Sequence, residues 1–478
     1  MARKATGQHQ AKRWLYLTHR WVGIVTCLLF AMWFASGLVM IYVPYPSLSP
    51  AQKLAGAQAI DWRAVDVPPP VSADTRGLTL EMRDGAPVWR VEPWDAPAIT
   101  LSAHRGAVLR PVDAAFAARA AQGFGHAPVS DVEHMTRDQW TVAGGFDCHR
   151  PLWKVSLADA PGTQLYVSSS TGGVVQATTQ RIRFWNWLGS VPHWLYPTVL
   201  RQDNAAWRQV VLWVSGPCIA GALAGIWVGL LRTRMGKRRF KGGRMTPYHG
   251  WMLWHHVAGL GGGLFLLAWI FSGWLSVDPG RVFQTAALPE QAERAYALGT
   301  PMPPVALDRL RDLGRDARQI RLSRDGGLAR IAVFGGDGER KVFDAAGQTV
   351  RPDDLTIAKA AQALIPAGHL LAVERLTAPD AYWYKAGALP RLPVLRLRFD
   401  DPAQSWLHID PETGAVLDHL DARRRTYRWL FDLLHTWDLN SFTLHRPLWD
   451  LWLWVWSLLG LVTSISGVWI GWKRLRRA

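Results

Sequence analysis

Long uncharged apolar runs interrupt an otherwise polar chain in four places. They cover residues 21–43, 209–231, 257–277 and 451–472, and none of them contains Asp, Glu, Lys or Arg. An α-helix needs about 20 apolar residues to cross the hydrocarbon core of a bilayer, so each run predicts a membrane-spanning helix. The first run is longer than the roughly 7–15 apolar residues of a signal peptide. We therefore expect it to be retained in the mature protein.

The two long segments between these runs carry shorter patterns. Alternation of apolar and polar residues predicts strands at 88–92, 98–102, 152–157, 164–169, 328–334, 339–344, 394–399 and 405–410. Ala-rich stretches predict helices at 111–122 and 356–365. Thr-Gly pairs near 171 and 413 supply the positive φ that a tight turn needs. Each long segment is thus predicted to form a small α+β domain.

The chain repeats itself. Residues 151–230 match residues 393–472 at a constant offset of 242, and the first and third apolar runs match at an offset of 236. The aligned pairs include His193 with His435, Gly225 with Gly467, Gly23 with Gly259, Ser36 with Ser272, and Gly37 with Gly273. The chain is therefore two copies of a span–domain–span unit. Two spans per copy give both copies the same orientation, with a predicted pseudo-twofold axis along the membrane normal.

The distribution of charge predicts the topology. The formal net charge is +17, a value that nucleic-acid-binding proteins often show. Residues 1–13, 232–248 and 473–478 carry +4, +7 and +4, however, and account for most of it. Basic residues beside membrane helices mark the cytoplasmic side. We expect a bilayer and no nucleic acid as partner, with both termini and the central link cytoplasmic.

Only three cysteines occur, Cys27, Cys148 and Cys218, and they are far apart. This number excludes a disulfide scaffold, and the spacing excludes cysteine-ligated iron–sulfur clusters and covalent haem attachment.

Histidines recur at repeat-equivalent positions beside the spans. His19 pairs with His255, and His193 pairs with His435. Equivalent imidazoles that point inward face each other across a twofold axis, and a gap of about 4 Å would admit one iron atom with two Fe–N bonds of about 2 Å. The sequence therefore suggests two bis-histidine b-type haem sites. The alternative is that these are interfacial histidines solvated by water or lipid headgroups.

Several neighbours extend this hypothesis. His256 could replace His255 as a ligand, and His445 could ligate iron or contact a propionate. Arg20 lies beside a candidate ligand, and Gly23 and Gly259 would let a macrocycle approach the backbone closely. No catalytic residue stands out.

The sequence resembles the PepSY-associated transmembrane family of iron-regulated inner-membrane proteins. The resemblance rests on LTHRWVG at 17–23, WHHVAGL at 254–260 and LLHTW at 433–437, and on the strand–turn units at 166–175 and 407–417. It implies a Gram-negative inner membrane, PepSY-like domains in the periplasm, two b haems and reduction of ferric siderophores. Carried over to this chain, it implies His19, His255, His193 and His435 as haem ligands.

The expected fold class is accordingly an α-helical integral membrane protein. Four transmembrane helices form a tandem parallel repeat, with two periplasmic α+β PepSY-like domains. The predicted units are an N-terminus and first span (1–43), a first domain (44–206), a second span (207–231), a basic loop (232–248), a third span (249–277), a second domain (278–448), and a fourth span with the tail (449–478).

The expected function is that of a haem b electron-transfer protein, an oxidoreductase of the ferric-chelate reductase type. It would take electrons from a quinol or a cytoplasmic reductase and reduce a ferric siderophore in the periplasm, so that Fe(II) is released. One alternative is a permease for iron or a ferric chelate, against which the absence of ionisable residues in the spans counts. Another is a non-catalytic regulator of an envelope protease.

Overall fold

A computed structural model describes residues 2–72, 74–297, 304–350, 353–385, 390–443 and 445–477. Its α-helices are α1 Ala2–Met40, α2 Pro50–Gly56, α3 Ala114–Gly125, α4 Gln180–Leu188, α5 Ser190–His193, α6 Thr198–Arg201, α7 Asn204–Leu231, α8 Gly250–Leu275, α9 Glu290–Ala297, α10 Leu307–Leu313, α11 Asp354–Ala361, α12 Ala422–Tyr427, α13 Leu434–Thr436, α14 Asn440–Thr443 and α15 Leu448–Leu475. Its strands are β1 Thr75–Arg83, β2 Ala86–Pro93, β3 Ile99–Ser102, β4 Val129–Met135, β5 Leu152–Leu157, β6 Gln164–Ser168, β7 Val174–Thr178, β8 Gln319–Asp325, β9 Leu328–Phe334, β10 Arg340–Asp344, β11 Leu370–Leu376, β12 Val394–Phe399, β13 Trp406–Ile409 and β14 Val416–Leu420.

Among the described residues, four helices are long and apolar enough to cross a membrane: residues His9–Met40 of α1, and the whole of α7, α8 and α15. They pack as a bundle in which α1 and α8 each lie between α7 and α15. The side chain of Asp203 caps α7 by accepting hydrogen bonds from the N–H groups of Ala205 and Ala206 at 2.9 and 3.0 Å. We call the end of the bundle where α1 ends and α7 begins the sheet-bearing end, and the other the loop end.

The predicted fold class, an α-helical integral membrane protein, is wrong. The described residues also form fourteen strands in three antiparallel sheets, so the protein is not a purely helical membrane protein. The reason lies in the segments between the apolar runs. Their period-two patterns are long enough to bury sheet faces of their own, which makes the sheets a major part of the architecture.

The six-stranded sheet, which we call the shared sheet, joins the two halves of the chain. Its order is β10-β9-β8-β1-β2-β3, so three strands come from each half. The halves meet where β1 pairs with β8, with Thr79 opposite Arg321. Leu78, Leu80, Ile320 and Leu322 are fully buried around this junction. Pairing satisfies the backbone groups that an edge strand would leave open.

Each half also has a four-stranded sheet, β4-β5-β6-β7 in the first and β11-β12-β13-β14 in the second. Helix α3 packs Ala117 and Ala121 against the former, and α11 packs Ile357 and Ala361 against the latter. The predicted strands all form within a few residues of their expected positions, and the predicted turns are present, with φ of 74° at Gly172 and 79° at Gly414. Both predicted helices also form, shifted to the bounds of α3 and α11.

Candidate cofactor sites

His19 and His255 face each other near the loop end of the bundle. His19 lies on α1 and His255 on α8, and the centroids of their imidazole rings are 6.0 Å apart. The Nδ1 atom of His19 lies 3.4 Å from the carbonyl oxygen of Gly221. The Nδ1 atom of His255 lies 2.9 Å from the carbonyl oxygen of Thr463 and 3.2 Å from the hydroxyl of Ser466. Each ring therefore has Nδ1 held by a neighbouring helix, which leaves Nε2 for a ligand.

Glycines make room for these two rings. A Cβ atom on Gly225 of α7 would lie 2.8 Å from Cε1 of His19, and one on Gly467 of α15 would lie 3.3 Å from Cε1 of His255. Gly225 and Gly467 are repeat-equivalent, as are Gly221 and Thr463, whose carbonyls hold the rings. The duplicated sequence thus builds the same cradle twice around one pair.

A cavity of about 420 Å³ opens beside this pair. Six of the predicted site residues line it, namely His19, Arg20, Gly23, His255, His256 and Gly259. Two further arginines, Arg232 and Arg474, also line the cavity. The sequence does not predict them as site residues, because they lie in basic segments whose charge already indicates topology. Arg232 and Arg474 are 242 residues apart, which is the offset of the sequence repeat, and this equivalence is the signal that identifies them.

His256 is engaged elsewhere. Its Nε2 atom lies 3.1 Å from the hydroxyl of Thr233, and its ring packs against Tyr248 with 5.2 Å between centroids. It therefore turns toward the 232–248 loop, and His255 is the histidine that faces His19.

His193 and His435 form a second pair at the sheet-bearing end, with ring centroids 6.1 Å apart. Irregular backbone delivers both side chains. Helix α4 breaks at Gly189, where φ and ψ are both −101°, before α5 ends at His193. A π-helical turn over Arg428–Leu433 precedes His435. Such turns occur frequently at functional sites.

Serines and glycines of α1 and α8 hold the second pair. The Nδ1 atom of His193 lies 3.1 Å from the hydroxyl of Ser36 and 3.1 Å from the carbonyl of Trp33. The Nδ1 atom of His435 lies 2.9 Å from the hydroxyl of Ser272. Cβ atoms on the repeat-equivalent Gly37 and Gly273 would lie 3.3 and 3.8 Å from Cε1 of His193 and His435 respectively. The two serines were aligned in the repeat, but nothing in the sequence alone tied them to the histidines.

Burial controls the protonation of this second pair. Desolvation lowers the pKa of His193 to about 4 and, together with the proximity of His193, that of His435 to about 3. Both imidazoles are therefore neutral at physiological pH, which is the form that binds a metal ion. His445, by contrast, lies exposed in the turn between α14 and α15, where its N–H donates to the carbonyl of Phe442 at 3.1 Å.

Both pairs have dimensions that fit a b-type haem. Two imidazoles bound to one iron atom at about 2 Å each would place their ring centroids about 6 Å apart, which matches both pairs. Backbone carbonyls or hydroxyls at Nδ1 are the usual outer partners of metal-binding histidines. The cavity at the loop end is within the range of about 300–1,000 Å³ found for cofactor sites, and its arginines suit propionate groups.

No protein-family model and no curated protein matches this chain.

Proposed function

We propose that this protein is a haem b electron-transfer protein of the bacterial inner membrane that reduces ferric chelates. The observation that carries the proposal is the presence of two imidazole pairs with centroid distances of 6.0 and 6.1 Å. In each pair, the two histidines occupy equivalent positions in the two copies of the repeat. A single pair could arise from chance packing of two histidines. Two pairs, each with Nδ1 held and with glycine beside every ring, support a common role.

The residues would perform distinct tasks. The four paired histidines would hold the iron atoms of two haems, which supply reversible one-electron chemistry when bound. The serines and carbonyls at Nδ1 would fix the tautomer and the orientation of each ring. Arg20, Arg232 and Arg474 would neutralise propionates at the loop end. The buried setting of His193 and His435 would keep water from the ring nitrogens.

The positions of the two pairs suit transfer across the bilayer. The pair at the loop end lies at the level of residue 19 of α1, and the second pair contacts residues 33–37. At about 1.5 Å of rise per residue, the pairs are separated by roughly 21–27 Å along the helix. The basic segments at the loop end support a cytoplasmic location for that end and a periplasmic location for the sheets.

The overall reaction balances when the donor gives up two electrons. One quinol would give up two electrons and two protons and become a quinone, while two Fe(III) chelates each accept one electron. A cytoplasmic reductase could supply the same electrons. Fe(II) carries less charge than Fe(III) and binds hard oxygen donors less strongly, so reduction would release the metal from a siderophore.

The visible spectrum tests the proposal. Protein purified in detergent from haem-replete cells should show a Soret band. Its α-band should sharpen when dithionite is added. His19→Ala and His435→Ala should each remove one haem, and they should remove different haems. His445→Ala provides a matched control and should keep both. The absence of a Soret band from the wild-type protein would refute the proposal.

A further inference from the structure

A second cavity, of about 560 Å³, lies at the sheet-bearing end of the bundle. It is formed where α7 begins, where the chain leaves α8, and where α12 follows the last strand. Three arginines line it, one from each of these places: Arg208, Arg281 and Arg424. No pattern in the sequence connects them, because they are brought together only by the fold.

The charge in this cavity is unbalanced. One carboxylate, that of Asp278, lines it beside the three guanidinium groups. Its oxygens accept hydrogen bonds from the N–H of Phe283 at 3.1 and 3.3 Å, and the guanidinium of Arg208 donates to the backbone carbonyl of Asp278 at 2.9 Å. Burial lowers the pKa of His419, so this imidazole adds no positive charge at neutral pH. The cavity therefore favours an anion.

Two further features indicate a ligand rather than simple surface charge. The hydroxyl of Thr285 lines the cavity and is buried with no hydrogen-bond partner among the residues that the structure describes. Asp278 and Arg281 both adopt left-handed backbone conformations, with φ of 45° and 54°. Non-glycine residues rarely adopt such conformations, which tend to occur at binding and active sites.

Stacked aromatic rings connect this cavity to the second imidazole pair. Tyr427 lines the cavity, and its ring centroid lies 5.0 Å from that of Phe431. The ring of Phe431 in turn stacks on His435 at 5.3 Å. A ligand seated against Tyr427 would therefore be two ring contacts away from the candidate haem ligand.

We propose that this cavity is the binding site for an anionic, oxygen-donor Fe(III) chelate, an inference that rests on the proposed function. Guanidinium groups bind carboxylate and similar oxyanions through paired, charge-assisted hydrogen bonds. On reduction, Fe(III) accepts one electron from the quinol or reductase that serves as donor, and the bound chelate gains one negative charge. The three arginines that line the cavity would stabilise this added charge and so favour the reduced state.

Calorimetry with gallium(III) citrate tests the site, because Ga(III) resembles Fe(III) but is not reduced. We expect saturable binding to the detergent-purified wild-type protein. Charge-assisted hydrogen bonds predict about a tenfold loss of affinity for each arginine removed, so the double variant Arg281→Gln/Arg424→Gln should bind about a hundredfold more weakly. Arg423→Gln removes the same charge from an exposed neighbour on α12 and should bind like the wild type.

The outcomes separate this site from the proposed function. A wild-type Soret band together with equal gallium(III) citrate affinity in all variants would overturn the site while leaving the haem proposal intact. Binding that depends on the two arginines in a protein without a Soret band would overturn the haem proposal and retain an anion site. Binding measured in nanodiscs with and without phosphatidylglycerol tests whether the ligand is a lipid headgroup. Arginine-dependent binding of that lipid, without binding of gallium(III) citrate, would identify a lipid headgroup as the ligand and overturn the chelate site.

Discussion

Gly225 is the position at which a single added methyl group should abolish one of the two proposed haem sites and leave the other. The Cβ atom of Gly225→Ala would lie 2.8 Å from Cε1 and 2.9 Å from Nδ1 of His19. Carbon atoms in favourable contact are about 3.5–4.0 Å apart. The His19 ring must therefore retreat by roughly 0.7 Å, because Gly225 is held within α7 and cannot move independently.

The magnitude follows from two competing effects. Overpacking of this kind costs about 1–3 kcal/mol, while replacing glycine by alanine in a helix returns up to about 1 kcal/mol. The fold should survive a net cost of this size. Metal–ligand distances, in contrast, tolerate deviations of only about 0.2 Å, so the displaced imidazole should no longer ligate the iron atom.

Haem stoichiometry per protein, measured by the pyridine haemochrome method, tests this reasoning. The Gly225→Ala variant should bind one haem per protein in place of two. The haem that remains should be the one that His435→Ala removes. Gly261→Ala supplies the control, since its Cβ would have no heavy atom within 4 Å. Two fully ligated haems in Gly225→Ala would show that the His19 ring is not held where the iron atom requires it.

Three further predictions concern the second pair and its surroundings. Ser272→Ala removes the hydroxyl that lies 2.9 Å from Nδ1 of His435 and should weaken haem retention about 10–100-fold. Transfer of haem to apomyoglobin measures this retention, and an unchanged rate of transfer would contradict a role for Ser272. Burial raises the pKa of Asp432 to about 6 in the folded protein, whereas the unfolded chain ionises near pH 4. As the pH rises from about 4 to 6, the buried carboxyl group therefore lowers the free energy of unfolding. Asp432→Asn should therefore stabilise the protein by roughly 1–2 kcal/mol at pH 8, after a discount for partial exposure, and leave stability at pH 4 unchanged, as chemical denaturation in detergent would show. The carboxylate of Asp410 accepts from Arg340 at 2.6 Å and from Arg391 at 2.8 Å, and it joins the shared sheet to the β11–β14 sheet. Asp410→Ala should cost about 1.5–3 kcal/mol in the same assay, the range for hydrogen bonds to charged groups, because Arg340 keeps its ion pair with Glu412. A loss below 1 kcal/mol would contradict this role.

The sequence predicted the elements more successfully than their assembly. Uncharged apolar runs identify the four long helices because crossing a membrane imposes a length and a composition at once. The imidazole pairs were predictable for a different reason. Duplication places His19 with His255, and His193 with His435, at equivalent positions, and equivalent inward-pointing positions meet at a twofold axis.

The assembly could not be predicted because it depends on contacts without a local signature. The pairing of β1 with β8 joins strands separated by about half of the chain, and alternation shows only that each strand has a buried face. Hence the joining of the two halves through one shared sheet was not predicted. The π-helical turn before His435 and the left-handed backbone at Asp278 and Arg281 likewise arise from tertiary packing. The arginine-lined cavity depends on all of these features.

The shared sheet has a consequence for the order of synthesis. Strand β1 and the histidines His19 and His193 are made first, but the partners of all three belong to the second half of the chain. Until the ribosome has completed that half, the nascent protein holds an open strand edge and two unmatched imidazoles. Open edges are sites of wrong pairing. Insertion of the proposed haems would therefore follow translation of most of the chain, and the loop-end pair gains its full surroundings only once α15 has been made.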